Sequence, residues 1–197
     1  MTENVKVEID EHIDESGAVF YVERYERLIP TLEVDQGDHY KLGCEACKKH
    51  GKNLACPPFS PALRQYAGNA NTAKVVCLRL PLEYFSHLPF EERYRECFRK
   101  VKSLLVEILL ANRSKGLQVA GSGPCQACEE CSAESGSSDC RNPDNLIYSL
   151  ESLGVNVVGL VQTSLNLDLE WSVDGNFADY VCAVGAVFLD KQRMQIG

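Results

Sequence analysis

No apolar run in this sequence approaches the roughly 18 residues that a membrane-crossing helix needs, and the start, MTENVKVEIDEHIDE, lacks a basic segment followed by an apolar one. These absences predict a soluble, cytoplasmic protein that neither spans a membrane nor is exported. Basic charge is also scarce: 20 Lys and Arg stand against 28 Asp and Glu, a net charge of -8. No basic stripe interleaved with aromatics is present, which argues against nucleic-acid binding. Phosphate loops, glycine-flanked nucleophilic serines and paired-histidine helices are missing as well, so no hydrolase or kinase chemistry is signalled. Histidine is limited to four residues, of which His12, His39 and His87 have no partner at a ligating spacing.

Cysteine, by contrast, is abundant, and seven of the ten sit in two compact arrays. The first is Cys44-x2-Cys47-x8-Cys56-Pro57-Pro58. The second is Cys125-x2-Cys128-x2-Cys131-x8-Cys140-Arg141-x-Pro143. In a reducing cytoplasm such cysteines stay free, whereas five disulfides would need an oxidising compartment that nothing in the chain signals. Three thiolates at two-residue gaps can wrap three corners of an iron–sulfur cube, and the second array supplies all four ligands within one segment. Gly121, Gly123 and Gly136 let backbone N–H groups approach the sulfides without a Cβ in the way. Structural zinc, which also takes four cysteines but more often as two separated pairs, is the competing reading.

The first array has only three cysteines, and its spacing leaves three readings. Either one metal position stays open to substrate, or a distant cysteine, Cys182, Cys77 or a crossing Cys140, completes the set, or His50 makes a three-cysteine, one-histidine zinc site. Cys77, Cys97 and Cys182 lie in apolar stretches, where a free cysteine packs as a small hydrophobe. Charge differs between the arrays. Glu45 against Lys48, Lys49 and Lys52 sums to +2, while Glu129, Glu130, Glu134 and Asp139 sum to -4. Positive neighbours favour a reduced cluster, so the first site is expected to have the higher potential and to receive electrons from the second.

The length suits a single core. Residues 1–40 carry 11 acidic and 3 basic side chains and form an acidic N-terminal segment packed on or appended to one α/β domain at 41–197. Short strands are expected at Val5–Ile9 and Ala18–Val22 around a turn at Glu15, Ser16 and Gly17. A short helix is expected from Ser60 and Pro61 through Tyr66, and buried strands at Ala73–Leu80 and Tyr180–Leu189. Apolar residues from Tyr94 to Leu109 recur at three- and four-residue steps, which predicts a helix over Glu91–Arg113, with Arg95, Arg99, Lys102 and Glu107 on its other faces. Leu117–Ala120 reads as a strand, Asp144–Leu153 as a helix closed by Gly154, and Val155–Val161 as a strand. The resulting fold class is α/β, a mixed sheet with flanking helices and two cysteine-rich loops at strand ends.

The two arrays, together with Gly51-Lys52, Pro57-Pro58-Phe59 and Ser149-Leu-Glu151-Ser-Leu-Gly154-Val155, make residues 40–160 resemble the DUF2284 family of predicted metal-binding proteins. His50 departs from the aromatic residue more typical there. The resemblance implies metal binding at the cysteines, with an anaerobic or archaeal flavour, and no particular reaction. The expected function is therefore an iron–sulfur protein, with one or two [4Fe-4S] clusters, that transfers electrons or serves a partner metalloenzyme as a redox accessory. Two alternatives are an enzyme that activates substrate at the three-cysteine site, in sulfur removal or transfer, and a zinc-stabilised interaction module. A redox partner protein and a homo-oligomer are the associations that fit.

Overall fold

The computed structural model of the chain describes residues 4–14, 17–170 and 178–190. Alternating side chains build its first two strands, β1 (Lys6–Ile13) and β2 (Val19–Pro30), which form an antiparallel hairpin longer than the strands expected from sequence. Asp14 turns the hairpin by accepting the Ala18 N–H on Oδ1 at 3.0 Å. Glu15 and Ser16, expected in that turn, lie outside the described residues. Part of the acidic excess is answered within the sheet. Arg24 pairs with Glu8, with Asp10 at 2.9 Å and with Glu26 at 3.6 Å, and Lys74 reaches Glu26 at 3.5 Å.

β3 (Thr72–Pro81) and β6 (Tyr180–Leu189) stand where their apolar runs place them. They pair antiparallel along their full length, from Thr72 opposite Leu189 to Pro81 opposite Tyr180. The sheet has six strands in the order β1-β2-β3-β6-β4-β5 once β4 (Gln118–Gly121) and β5 (Tyr148–Ser149) are added. Every pairing is antiparallel except β4 with β5. β3 and β6 are central and covered on both faces, which explains why their sequences show no polar alternation.

Helices cover the two faces. On one side α3 (Phe90–Arg113) lays Cys97, Val101, Leu105 and Leu109 on Val76, Leu78, Leu80, Ala183 and Val187. Gly185 lets α3 come close: a Cβ there would lie 2.9 Å from the Ala120 carbonyl oxygen and 3.2 Å from Leu105 Cδ1. Because a backbone atom and a packed core both resist that atom, Gly185→Val is expected to lower stability by about 1–3 kcal/mol. Chemical denaturation would show this as a lower midpoint, and an unchanged midpoint would mean the helix can retreat freely.

The opposite face is covered by irregular chain and by the short helices α2 (Leu63–Ala67) and α4 (Val157–Leu165). α1 (Leu42–Glu45) is a single turn that carries Cys44. Two sequence expectations fail here. Asp144–Leu153 is not a helix: the chain makes a 3-10 turn at Pro143–Asn145, pairs β5 alongside β4, then makes a second 3-10 turn at Glu151–Leu153 before Gly154 at φ +83°. Pairing decides this, since the Leu150 N–H donates to Gly121 O at 2.9 Å and Ile147 and Tyr148 pack into opposite cores.

The stretch Val155–Val161 is the start of α4 rather than a strand. Asn156 caps it by accepting the Gly159 N–H at 3.0 Å, and Asn166 ends it in the left-handed region at φ 54°. Buried Leu160, Val161, Ser164 and Leu165 follow helical spacing. The run of valines masked a cap that was present in the sequence. Among the described residues no helix is long and apolar enough to cross a membrane.

Candidate metal centre

The first array is built from consecutive tight turns. The Cys47 N–H donates to Cys44 O at 3.1 Å, His50 N–H to Cys47 O at 3.0 Å, and Cys56 N–H to Asn53 O at 2.9 Å. Cys44 and Cys56 are half-buried, while Cys47 and His50 are exposed. Burial pushes the Cys56 thiol up to about 11, with Cys44 and Cys47 adding to the shift. Burial likewise raises Cys44, followed by Glu151 and Cys47. Burial and neighbouring thiols oppose the ionisation of Cys44 and Cys56, which a bound cationic centre would relieve.

The second array follows directly from β4 and is pinned along its length. Ser132 Oγ donates to Asp139 O at 2.6 Å, Arg141 to Glu130 O at 2.9 Å and Asn142 Nδ2 to Ala127 O at 3.2 Å. From α3, Arg113 holds the carbonyls of Leu146 and, at 3.3 Å, Pro143. Cys125, Cys128, Cys131 and Cys140 are free and half-buried. Sulfur already attracts backbone donors here, since the Ala127 N–H points at Cys125 Sγ at 3.5 Å.

The two arrays face each other. Leu54, in the first loop, donates its N–H to Cys131 Sγ of the second at 3.4 Å. Buried Asn53 donates to Cys125 O at 3.1 Å while its Oδ1 accepts the Ala55 N–H at 3.0 Å. Lys49 pairs with Glu134 at 2.8 Å. Charges counted separately along the chain are therefore shared in space, which narrows the contrast expected to order the two potentials.

Lys102 deepens this correction. Sequence periodicity put it on an outer face of α3, yet it is only 3 % exposed, and its Nζ donates to Pro124 O at 2.5 Å. Burial brings its pKa down to about 8, against the pull of Cys125, Cys56 and Glu151. The charges of one cysteine from each array, Cys125 and Cys56, thus act on this buried ammonium. A lysine beside Val101 on a buried helix flank was the available signal, and its polar type outweighed its position in the periodicity argument.

Glu151 is the second buried charge that sequence reasoning passed over. Its Oε2 is buried without a hydrogen-bond partner. Burial raises its pKa, while its own backbone N–H, Ser149 and Lys102 pull the other way. A raised carboxyl contributes nothing to stability below its unfolded-state pKa, where it is protonated in both states. Above that pKa it lowers stability, because the folded state resists ionisation. Glu151→Gln is therefore expected to raise the melting temperature more at pH 8 than at pH 5. An equal gain at both pH values would show that the carboxyl is not held protonated.

The remaining cysteines stand on the sheet and on α3. Cys77 and Cys97 are fully buried in the two cores. The hydrogen bond to Cys182 and burial push the Cys77 thiol up, while that same bond holds Cys182 below the usual thiol range. Arg79, Glu170 and Glu23 also act on Cys182. At Cys56, the charge of Cys125 from the second array adds to the upward shift.

Among the described residues no three histidine, cysteine, aspartate or glutamate side chains form a group that could hold a single metal ion. Seven free thiols stand on the two facing loops, and the Leu54 and Ala127 N–H groups are directed at sulfur.

A mixed α/β sheet that presents two facing cysteine-rich loops defines a cysteine-rich protein of the metal-binding kind. The chain belongs to DUF2284, a family of predicted metal-binding proteins whose model matches residues 27–189. No curated protein and no solved structure matches it.

Proposed function

We propose that the chain is an iron–sulfur protein with two [4Fe-4S] clusters, held by Cys44, Cys47 and Cys56 and by Cys125, Cys128, Cys131 and Cys140, that passes electrons to a partner protein or metalloenzyme. The observation that carries this reading is the direct contact between the arrays, above all the Leu54 N–H on Cys131 Sγ at 3.4 Å. When bound, such clusters accept and release single electrons. The protein's own contribution is to set the two thiolate groups side by side and to place Lys102, Lys49 and backbone N–H groups where negative charge must be stabilised. Short separation is what fast transfer between two centres requires. Electron paramagnetic resonance of the fully reduced protein is expected to show magnetic interaction between two centres. Two independent, unbroadened signals would count against adjacent clusters.

One observation favours a second reading. Cys44, the member of the three-cysteine array on α1, feels the carboxyl of Glu151, whose Oε2 is buried with no partner. An array one cysteine short of a full set, beside an unsatisfied acid, suits activation of a substrate at the first site. If every iron proves to have four protein-side or sulfide ligands, that version loses its central feature.

A further inference from the structure

A cavity of about 430 Å³ lies where β4 stops and, among the described residues, no strand pairs with the first half of β6 on that side. Its walls include Tyr94 and Phe98, one turn apart on α3, and Tyr40 from the 3-10 turn before α1. Val155, Val157 and Val184 add apolar surface. The volume lies within the range of small-molecule sites, and the pattern of apolar walls with few polar groups is theirs as well.

Almost every polar group in the lining is already engaged. Asn156 Oδ1 accepts the Gly159 N–H, and its amide donates to Asp35 at 3.0 Å and to the Tyr40 hydroxyl at 3.2 Å. Ser122 Oγ donates to Val184 O at 2.8 Å and accepts the Val184 N–H at 2.7 Å. Glu170 Oε2 accepts the Asp179 N–H at 2.9 Å. Glu151 stands out, because its Oε2 is buried and unpartnered. A buried carboxyl oxygen left bare lowers stability unless something is brought to it.

Charge selects the occupant. Glu151 and Glu170 both line the cavity, and among the described residues no lysine or arginine does. Lys102 acts on Glu151 from outside the lining, with its ammonium engaged by Pro124 O. Anions are disfavoured in such a space, while aromatic faces and carboxyls together attract a positive group. We propose that this cavity binds a small organic cation, an amine or amidine carried on an apolar or aromatic body, with Glu151 as its counter-ion. Tyr94, Phe98 and Tyr40 contact the body and the flank of the positive group. Burial works against the charged form of Glu151, and an incoming cation favours it. The proposal stands on the cavity itself and holds whichever metal occupies the cysteine loops.

Titration calorimetry on the anaerobically purified full chain tests this with benzylamine, benzyl alcohol and benzoate as probes of one shape and three charges. Saturable benzylamine binding is expected, with the alcohol and the acid weaker by about tenfold or more. Glu151→Gln is expected to weaken benzylamine by at least about tenfold while leaving iron content unchanged. Val158, 49 % exposed in the lining, offers a second variant: Val158→Trp should occlude the cavity and weaken benzylamine without touching the buried acid. Equal affinity for benzylamine and benzyl alcohol would overturn the proposal. So would full benzylamine binding in both variants, or no saturable binding to the unsubstituted protein.

Discussion

Cys131→Ser is expected to remove about half of the bound iron, on the order of four atoms of eight. A serine hydroxyl ionises far less readily than a thiol and is a poor replacement for a thiolate ligand. Cys131 also receives the Leu54 N–H from the first loop, so the substitution loosens the contact between arrays as well as removing a ligand. Cys77→Ser is the matched control: this thiol is fully buried in the sheet beside Cys182, and its replacement should lower stability while leaving the iron count intact. Cys140→Ser should behave like Cys131→Ser, because Cys140 closes the same array as Cys125, Cys128 and Cys131. Iron analysis of the three anaerobically purified variants makes the comparison. Loss of all iron from Cys140→Ser would assign that residue to both centres, and loss from Cys77→Ser would move a ligand into the sheet.

Lys102→Met carries the next largest effect. The ammonium is buried, interacts with the charges of Cys125 and Cys56, and is held by Pro124 O. Methionine keeps the length and apolar stem while deleting the charge. A unit charge about 6 Å from a redox centre, at an effective dielectric constant of about 20, changes a one-electron potential by on the order of 100 mV. Both centres should become harder to reduce, because one ammonium serves a cysteine of each array. A spectroscopic redox titration of the variant measures this directly. An unchanged pair of potentials would mean that Lys102 only supports the Pro124 carbonyl, and a shift in one centre alone would place the charge closer to that array.

The chain shows its sheet plainly and its site only in part. β3, β6 and α3 follow from long uninterrupted patterns, since both faces of the central strands and one stripe of the helix are buried. The cysteine spacings identify the candidate ligands without reference to the fold. The errors cluster between Asp144 and Val161, where short elements compete. β5 exists because β4 needs a partner, which is a tertiary requirement, and α4 rests on a single asparagine cap before a run of valines.

The contact between the arrays depends on Asn53, Leu54 and Lys49, residues whose roles arise from loops meeting across more than 70 positions of sequence. Lys102 and Glu151 were hidden for a different reason. Buried charge runs against the hydrophobic pattern, so a reading based on that pattern sends such residues to the surface. Both are buried next to the arrays, and Glu151 also lines the cavity.

Anaerobic analysis of iron and acid-labile sulfide, read together with electron paramagnetic resonance, tests the central claim most directly. The account predicts a brown protein with about eight irons and a matching number of sulfides per chain, and cluster signals on reduction. A colourless protein that carries two zinc ions and no sulfide would contradict it.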